Sequence, residues 1–501
     1  MIVRTMDNRT RTNLLMTGGI LAVAAAFGFW GEHILLNLGL GTDGEFYARA
    51  VVWFPRYVAD ASFDTFLAKR VFPSAALHYA LKICGIAPTI QNTIYAFEIY
   101  NGILLGLTAL MWGLLADRLP LRHPVAAKWL GFCALFVNFC CLKFNLFYPT
   151  LTDTTALALG MLQFYFFMTE RPVALACTTL AAAFTWPSAL ATGVLLLVFP
   201  RSSVPRRPFR WLHRAAALTI ATAIAAVSVF STWRCYVSPE IRDCAPLTEW
   251  LWLSCALLVA YLFAALAPLL NCRHLAEWPS VQRSRLWKIA AAVLLVIIVN
   301  WIAGAISNGV VPVTGLGMAL VYSQRAVSKP LVFLLAHILY FGPIIIVAAR
   351  FWGPLCRDVQ DCGLGLTAVL GINVLLSIDS ESRHLTLAFP MLVTFAVCSL
   401  DRMELPRSFY VWFVAASVLL SKVWLQMNAE PEKLQALDPE QALTWPWQRF
   451  MASWGFIMSK PVYWVQAAVV VLIAALLCAL YFRRVERTQT AASVAQGSSV
   501  N

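Results

Sequence analysis

Apolar residues occur in long runs separated by short polar joints, from residue 14 to residue 482, with no extended polar interval between them. Runs long enough to cross, or nearly cross, a hydrocarbon core lie near 14–36, 93–115, 125–146, 151–169, 213–232, 247–270, 287–306, 330–350, 363–378, 385–401, 406–427 and 463–482. The stretch 172–199 is interrupted at Thr185-Trp186-Pro187. Proline removes a backbone donor and ends or kinks a helix, so this stretch reads either as one long helix or as two short ones.

Basic clusters choose between these readings, because cytoplasmic joints of membrane proteins are enriched in Lys and Arg. With the N-terminus in the cytoplasm, 117–128 falls inside, 143–153 outside and 169–172 inside. A single crossing by 172–199 would then export Arg201, Arg206, Arg207, Arg210 and Arg214, the most basic joint of the chain. Two short crossings keep it inside, and the same parity keeps 273–288, 350–357, 401–407 and 483–487 inside. The expected architecture is an all-α, polytopic transmembrane helix bundle of about fourteen helices with both termini cytoplasmic. Residues 1–487 form its single membrane unit, and the small polar tail 488–501 is expected to be disordered. The first run, preceded by Arg4, Arg9 and Arg11, lacks a small-residue cleavage site and reads as a retained signal anchor in a bacterial inner membrane.

Composition narrows the function classes. At 60% hydrophobic and 13% charged residues, with a mean hydropathy of +0.71, the chain cannot present a soluble globular surface. The net charge of +13 sits in the joints between apolar runs, so it marks cytoplasmic loops and no nucleic-acid partner is expected. Most of the 13 cysteines lie within apolar runs, where a thiol is a small hydrophobe, whereas Cys235 and Cys244 flank a polar joint and are placed to form a disulfide in an oxidising compartment. No Walker-type glycine loop is present, so primary active transport would need a separate energising subunit.

The topology leaves five joints of interest on the outer face: 37–92, 148–153, 307–329, 379–384 and 428–462. In the first, Gly41-Thr42-Asp43-Gly44-Glu45-Phe46-Tyr47 presents two carboxylates flanked by glycines, which suits a general base or a hard-cation site and equally suits a solvated loop. Further along the same joint, 72–84 reads as an amphipathic helix lying on the interface. In Tyr148-Pro149-Thr150-Leu151-Thr152-Asp153 the acid either caps a helix or faces the same cavity as Asp43. In Asp379-Ser380-Glu381-Ser382-Arg383-His384 the cations can hold a phosphate or simply pair with their acidic neighbours. Arg325 and Lys329, close to Tyr322 and Gln324, add outer-face cations able to neutralise a lipid phosphate. Trp186, Trp445 and Trp447 are placed to stack on a sugar ring.

The order of these motifs resembles the GT-C-type membrane glycosyltransferases. It runs from a first helix to an outer joint with Asp43-Gly44-Glu45, then Tyr-Pro-Thr-Leu-Thr-Asp, then a short helix pair broken at Thr-Trp-Pro, then Ser-Arg-His near a late helix. The resemblance spans roughly residues 14–400. It implies a polyprenyl-phosphate-linked sugar donor in the membrane lipid, a glycan, lipid or protein acceptor, and transfer on the non-cytoplasmic face. It also implies catalysis in the 37–92 joint, with Asp43 as base and Glu45 as its close competitor. The same resemblance suggests Arg383, His384, Lys329 and Arg325 at the donor phosphate, and Tyr47, Tyr148, Asp153 and Trp186 around the substrate. A divalent cation, Mg2+ or Mn2+, would sit between Asp43, Glu45 and Asp153. Two positions depart from the family pattern: Asp-x-Glu replaces Asp-x-Asp, which bears on metal dependence, and Trp-Pro replaces Arg-Pro at the helix break, which removes an expected cation. The competing class is a transporter or flippase for a lipid-linked or polyanionic substrate, which would place functional charges such as Glu98 and Lys422 deep in the bundle.

Overall fold

A computed structural model describes residues 8–201, 212–233, 249–271, 283–310, 315–403, 405–428, 444, 447–449 and 454–497. Among the described residues the secondary structure is helical, with only two isolated β-bridges. Among the described residues six helices are long and apolar enough to cross a membrane: Asn8–Trp30, Ile90–Ala116, Leu212–Trp233, Leu251–Leu270, Leu286–Ala305 and Lys460–Tyr481. A seventh crossing forms if Pro124–Phe136 and Cys140–Phe147, bent by 56° across their break, are counted as one span. The other expected segments appear mainly as apolar helices of 10–17 residues. A helix of 12 residues is about 18 Å long, well short of a hydrocarbon core of about 30 Å, so such helices need protein around them. Asp153–Met168 is buried along almost its whole length.

Polar ties define the two ends of the bundle. At one end, Lys128 Nζ donates to Asp117 Oδ1 (2.6 Å) and to Asn13 Oδ1 (2.9 Å), while Asn13 Nδ2 donates to Asp117 Oδ2 (2.9 Å). Burial disfavours the Asp117 charge, yet the hydrogen bonds from Lys128 and Asn13 hold its carboxyl below the usual range. The same end carries the Arg402–Asp358 pair (2.8 Å) and the hydrogen bond from the His123 amide to Asp401 (2.9 Å). These are joints that the charge rule assigns to one side. At the other end, Glu32 pairs with Lys143 and accepts from the Met427 amide at 2.7 Å.

Residues 172–199 form two helices, Pro172–Ala183 and Pro187–Val198, separated at the expected break. They fold back on each other as a hairpin. A Cβ on Gly193 would come within 2.1 Å of Thr179 Oγ1, and Gln163 Nε2 donates to the Ala189 carbonyl at 3.0 Å, seating the hairpin on the central helix. Small residues are what allow such close backbone approach between apolar helices. The hairpin tip therefore points toward the Glu32 end, with Trp186 as its leading side chain.

The first large joint is folded into short helices, Asp43–Val52, Phe54–Ala59, Thr65–Ala68 and Phe72–Ile83. The expected amphipathic helix is present as Phe72–Ile83; it buries Ser74 and His78 against Asp43–Val52, through Ser74 Oγ to the Tyr47 carbonyl (3.1 Å) and His78 Nδ1 to the Val51 carbonyl (2.6 Å). The tail expected to be disordered differs: one helix runs from Lys460 through Gly497. Its Glu, Arg, Gln and Ala content favours helix, a propensity that the polarity argument left out. The Cys235–Cys244 pairing lies outside the described residues.

Candidate active site at one end of the bundle

The loop between the helices Leu364–Leu376 and Phe389–Asp401 carries the densest charge cluster among the described residues. A 3-10 turn, Ser382–Leu385, projects Arg383 and His384 in different directions. Arg383 bridges two acids: its Nε donates to Glu381 Oε1 at 2.5 Å and its Nη2 to Asp43 Oδ2 at 2.7 Å. The latter contact joins residues 340 positions apart. His384 Nδ1 meets Asp379 Oδ2 at 2.7 Å, and Arg325 reaches Glu381 at 3.1 Å and Asp379 at 3.5 Å. Below the loop, His337 holds it in place through the Ser382 hydroxyl (2.9 Å) and the Ser377 carbonyl (2.8 Å). From above, Trp454 bridges to Glu381 and the Gly455 amide donates to the Ser380 carbonyl at 3.2 Å.

Burial opposes ionisation of Glu381, but the charges of Arg383, His384 and Arg325 overcome it and hold the carboxyl well below the usual carboxylate range. Burial likewise opposes the charge on Arg383, while Glu381, Asp43 and Asp153 keep it firmly protonated. Asp43 differs from the other acids in access. Its side chain is 38% exposed, against 9% for Glu381 and 1% for Asp379, so it alone of the three can meet a substrate without the loop opening.

Asp43 owes its position to tight packing. The Gly44 amide donates to the Tyr148 hydroxyl at 2.8 Å, and a Cβ on Gly44 would fall 1.9 Å from Thr150 Oγ1. Gly41, at φ +66°, adopts a conformation that L residues rarely take and packs on the same Tyr148 ring. The glycines thus let the Asp43 turn lie flat on the 148–153 turn. Asp153 is 1% exposed, its Oδ1 has no hydrogen-bond partner, and the charges of Arg383, Arg70 and His384 all reach it. Thr152 occupies the cap position without a side-chain cap hydrogen bond, and Asp153 sits in the first turn, where the helix dipole favours an acid.

The structure gathers some sequence-derived residues and disperses others. Asp43, Arg325, Arg383 and His384 belong to one network, with Asp153 in its field. Glu45 instead pairs with Arg49 one helical turn along at 2.5 Å. The carboxylates of Asp43, Glu45 and Asp153 do not converge on a point a cation could share. Among the described residues the ligand atoms that do converge are those of Asp379, Glu381 and His384, within 4.8 Å of one another. Two guanidinium groups already hold those same carboxylates, so this donor set fits a divalent cation poorly, and no step below is routed through a metal. Lys329 lies with its Nζ 3.4 Å from the Gly455 carbonyl, a buried position behind the loop. Tyr148 and Trp186 are buried, at 1% and 2% exposure, and so support the site without offering an open face; Trp447 is buried too, and Trp445 lies outside the described residues. Trp186 sits at the hairpin tip between the His384 ring, tilted to it at 6.3 Å between centroids, and the Arg70 guanidinium over its ring at 4.4 Å. Sequence reasoning passed over Arg70, whose only signal was a charge beside Lys69 in an otherwise apolar stretch.

An apolar cavity of about 240 Å³ begins beneath this loop at His337, Ser377 and Leu385 and runs along the helices Val332–Phe341, Leu364–Leu376 and Phe389–Asp401 as far as Trp352.

No protein-family model, curated protein or solved structure matches this chain. Its chemistry must be argued from the site alone.

Proposed function

We propose that the chain is a membrane glycosyltransferase of the GT-C type. It transfers a sugar from a polyprenyl-phosphate donor to an acceptor hydroxyl on the non-cytoplasmic face of a bacterial inner membrane. The observation that carries this reading is the Arg383 bridge, which joins an accessible carboxylate, Asp43, to a buried acid-base network on a loop whose flanking residues Ser377 and Leu385 line an apolar cavity. Transfer from a lipid-linked phosphate needs a base, charge-stabilising cations and room for a hydrocarbon tail close together.

In the proposed step the Asp43 carboxylate takes the proton from the acceptor hydroxyl as the acceptor oxygen forms its bond to the sugar C1. The bond from C1 to the phosphate oxygen breaks, and its electron pair leaves with the polyprenyl phosphate. Arg383 orients Asp43 before reaction, and with His384 it faces the charge that develops on the leaving phosphate. The apolar cavity suits part of an isoprenoid tail.

The competing reading is a transporter or flippase, which needs functional charge within the bundle. Glu98 pairs with His33 at 3.1 Å, two turns into the Ile90–Ala116 helix and close to Glu32, whereas Lys422 ends the Arg407–Ser421 helix buried over the Phe139 ring, its Nζ without a hydrogen-bond partner. The test is to incubate the purified protein, in lipid nanodiscs, with polyprenyl-phosphate-linked monosaccharides and an envelope glycan extract. Release of free polyprenyl phosphate together with labelled product supports transfer, and translocation of intact donor across proteoliposomes with no bond cleavage contradicts it.

A further inference from the structure

A second cavity, of about 280 Å³, lies within the short helices of the first joint, lined by Tyr47, Arg49, Arg70, Ser74 and Asn308 and also by Asp64, whose Oδ1 accepts from the Leu67 amide. The segment after the Leu286–Ala305 span closes one side: the Asn308 amide donates to the Phe63 carbonyl at 2.7 Å and the Thr65 amide to the Val310 carbonyl at 3.1 Å. Of the two arginines here, Arg49 has a carboxylate, Glu45. Arg70 makes no ion pair among the described residues, although its charge reaches Asp153.

Arg70 is 4% exposed, and its Nη1 donates only to the Tyr47 hydroxyl, at 3.1 Å, while Nε has no hydrogen-bond partner. Its guanidinium is clamped between the Phe66 ring (3.9 Å) and the Trp186 ring (4.4 Å). A guanidinium cannot shed its proton, and burying one without a counter-charge is unfavourable unless something supplies that charge. Aromatic faces offset part of this cost but satisfy no N–H. The other two arginines of the network, Arg325 and Arg383, each pair with two acids.

We propose that this cavity binds an oxyanion of the phosphate type, with Arg70 as its counter-ion and Tyr47 and Asn308 as neighbouring hydrogen-bonding groups. Cavity size exceeds a lone phosphate, so the anion is carried on a larger group. The carrier is either the phosphate of a lipid or that of a soluble molecule. Only the identity of the carrier rests on the glycosyltransferase reading. Trp186 would then transmit occupancy of the cavity to His384, since it touches both sides.

The test measures thermal unfolding and ligand binding on the full chain in nanodiscs of neutral phosphatidylcholine. One arm titrates inorganic phosphate, and the other replaces part of the lipid with phosphatidylglycerol. Wild type is expected to gain thermal stability in at least one arm, and Arg70→Gln to lose that gain with affinity weakened about tenfold or more. A gain in the phosphate arm assigns a soluble carrier, and a gain confined to the phosphatidylglycerol arm assigns a lipid one. Ser62→Trp fills the same cavity without altering Arg70, so it should abolish the response even if Arg70→Gln folds poorly. No response of wild type in either arm, or an equal response in wild type and Ser62→Trp, would overturn the proposal. Loss of sugar transfer with phosphate binding intact would instead count against the enzymatic reading alone.

Discussion

Arg383 holds Glu381 and Asp43 at once, so its removal leaves two carboxylates facing each other without the charge that reconciles them. Breaking a buried pair by deleting one partner costs about 3–5 kcal/mol, and Arg383→Ala should lower stability by that order, measured by thermal unfolding in nanodiscs. Arg383→Lys keeps the charge but cannot span both acids, and should be intermediate. Glu381 gives a pH signature. Its folded-state pKa lies below the unfolded value of about 4.3, so its contribution to stability is complete above that value and is lost as pH falls through the folded pKa. Glu381→Gln should therefore show a flatter loss of stability on acidification than wild type, and parallel acid profiles would count against the assignment. Asp43, Arg383 and His384 could be picked out from the sequence because polar residues are rare in this chain. Their partners could not, because pairing across 340 positions depends on which helix ends meet.

Helix boundaries were legible where apolar runs were long, and the proline break at Trp186 was legible from one residue. What hydropathy could not show was that the two halves of 172–199 are only 12 residues each and fold back as a hairpin, because apolar content is the same for a crossing and for a buried re-entrant pair. The hairpin's tight seam makes a prediction. Gly193→Val would drive a side chain into Thr179 and Gln163, displacing the tip on which Trp186 and Arg70 stack. Overpacking of this kind costs about 1–3 kcal/mol, and loss of transfer should exceed what that destabilisation explains. Gly193→Ala, the smaller intrusion, should show both effects to a lesser degree, and an active Gly193→Val enzyme of normal stability would show that the tip does not position the site.

The Lys128–Asp117 and Arg402–Asp358 pairs lie at one end of the molecule and the accessible carboxylate, charge network and Arg70 cavity at the other, with the apolar cavity running from the loop as far as Trp352. The charge rule assigns the first end to the cytoplasm. A reporter active only in the cytoplasm should therefore signal when inserted between residues 201 and 214 and stay silent after residue 60; signal at both would overturn the orientation. The central claim is that Asp43 is the base of a glycosyl transfer. The most direct measurement compares wild type with Asp43→Asn, purified in nanodiscs, for release of polyprenyl phosphate from a labelled polyprenyl-phosphate sugar in the presence of acceptor. Asn keeps an oxygen that can accept from Arg383 but has no basicity, so the account predicts that release falls by about 100-fold or more while thermal stability changes little. Release by Asp43→Asn at the wild-type rate would contradict it.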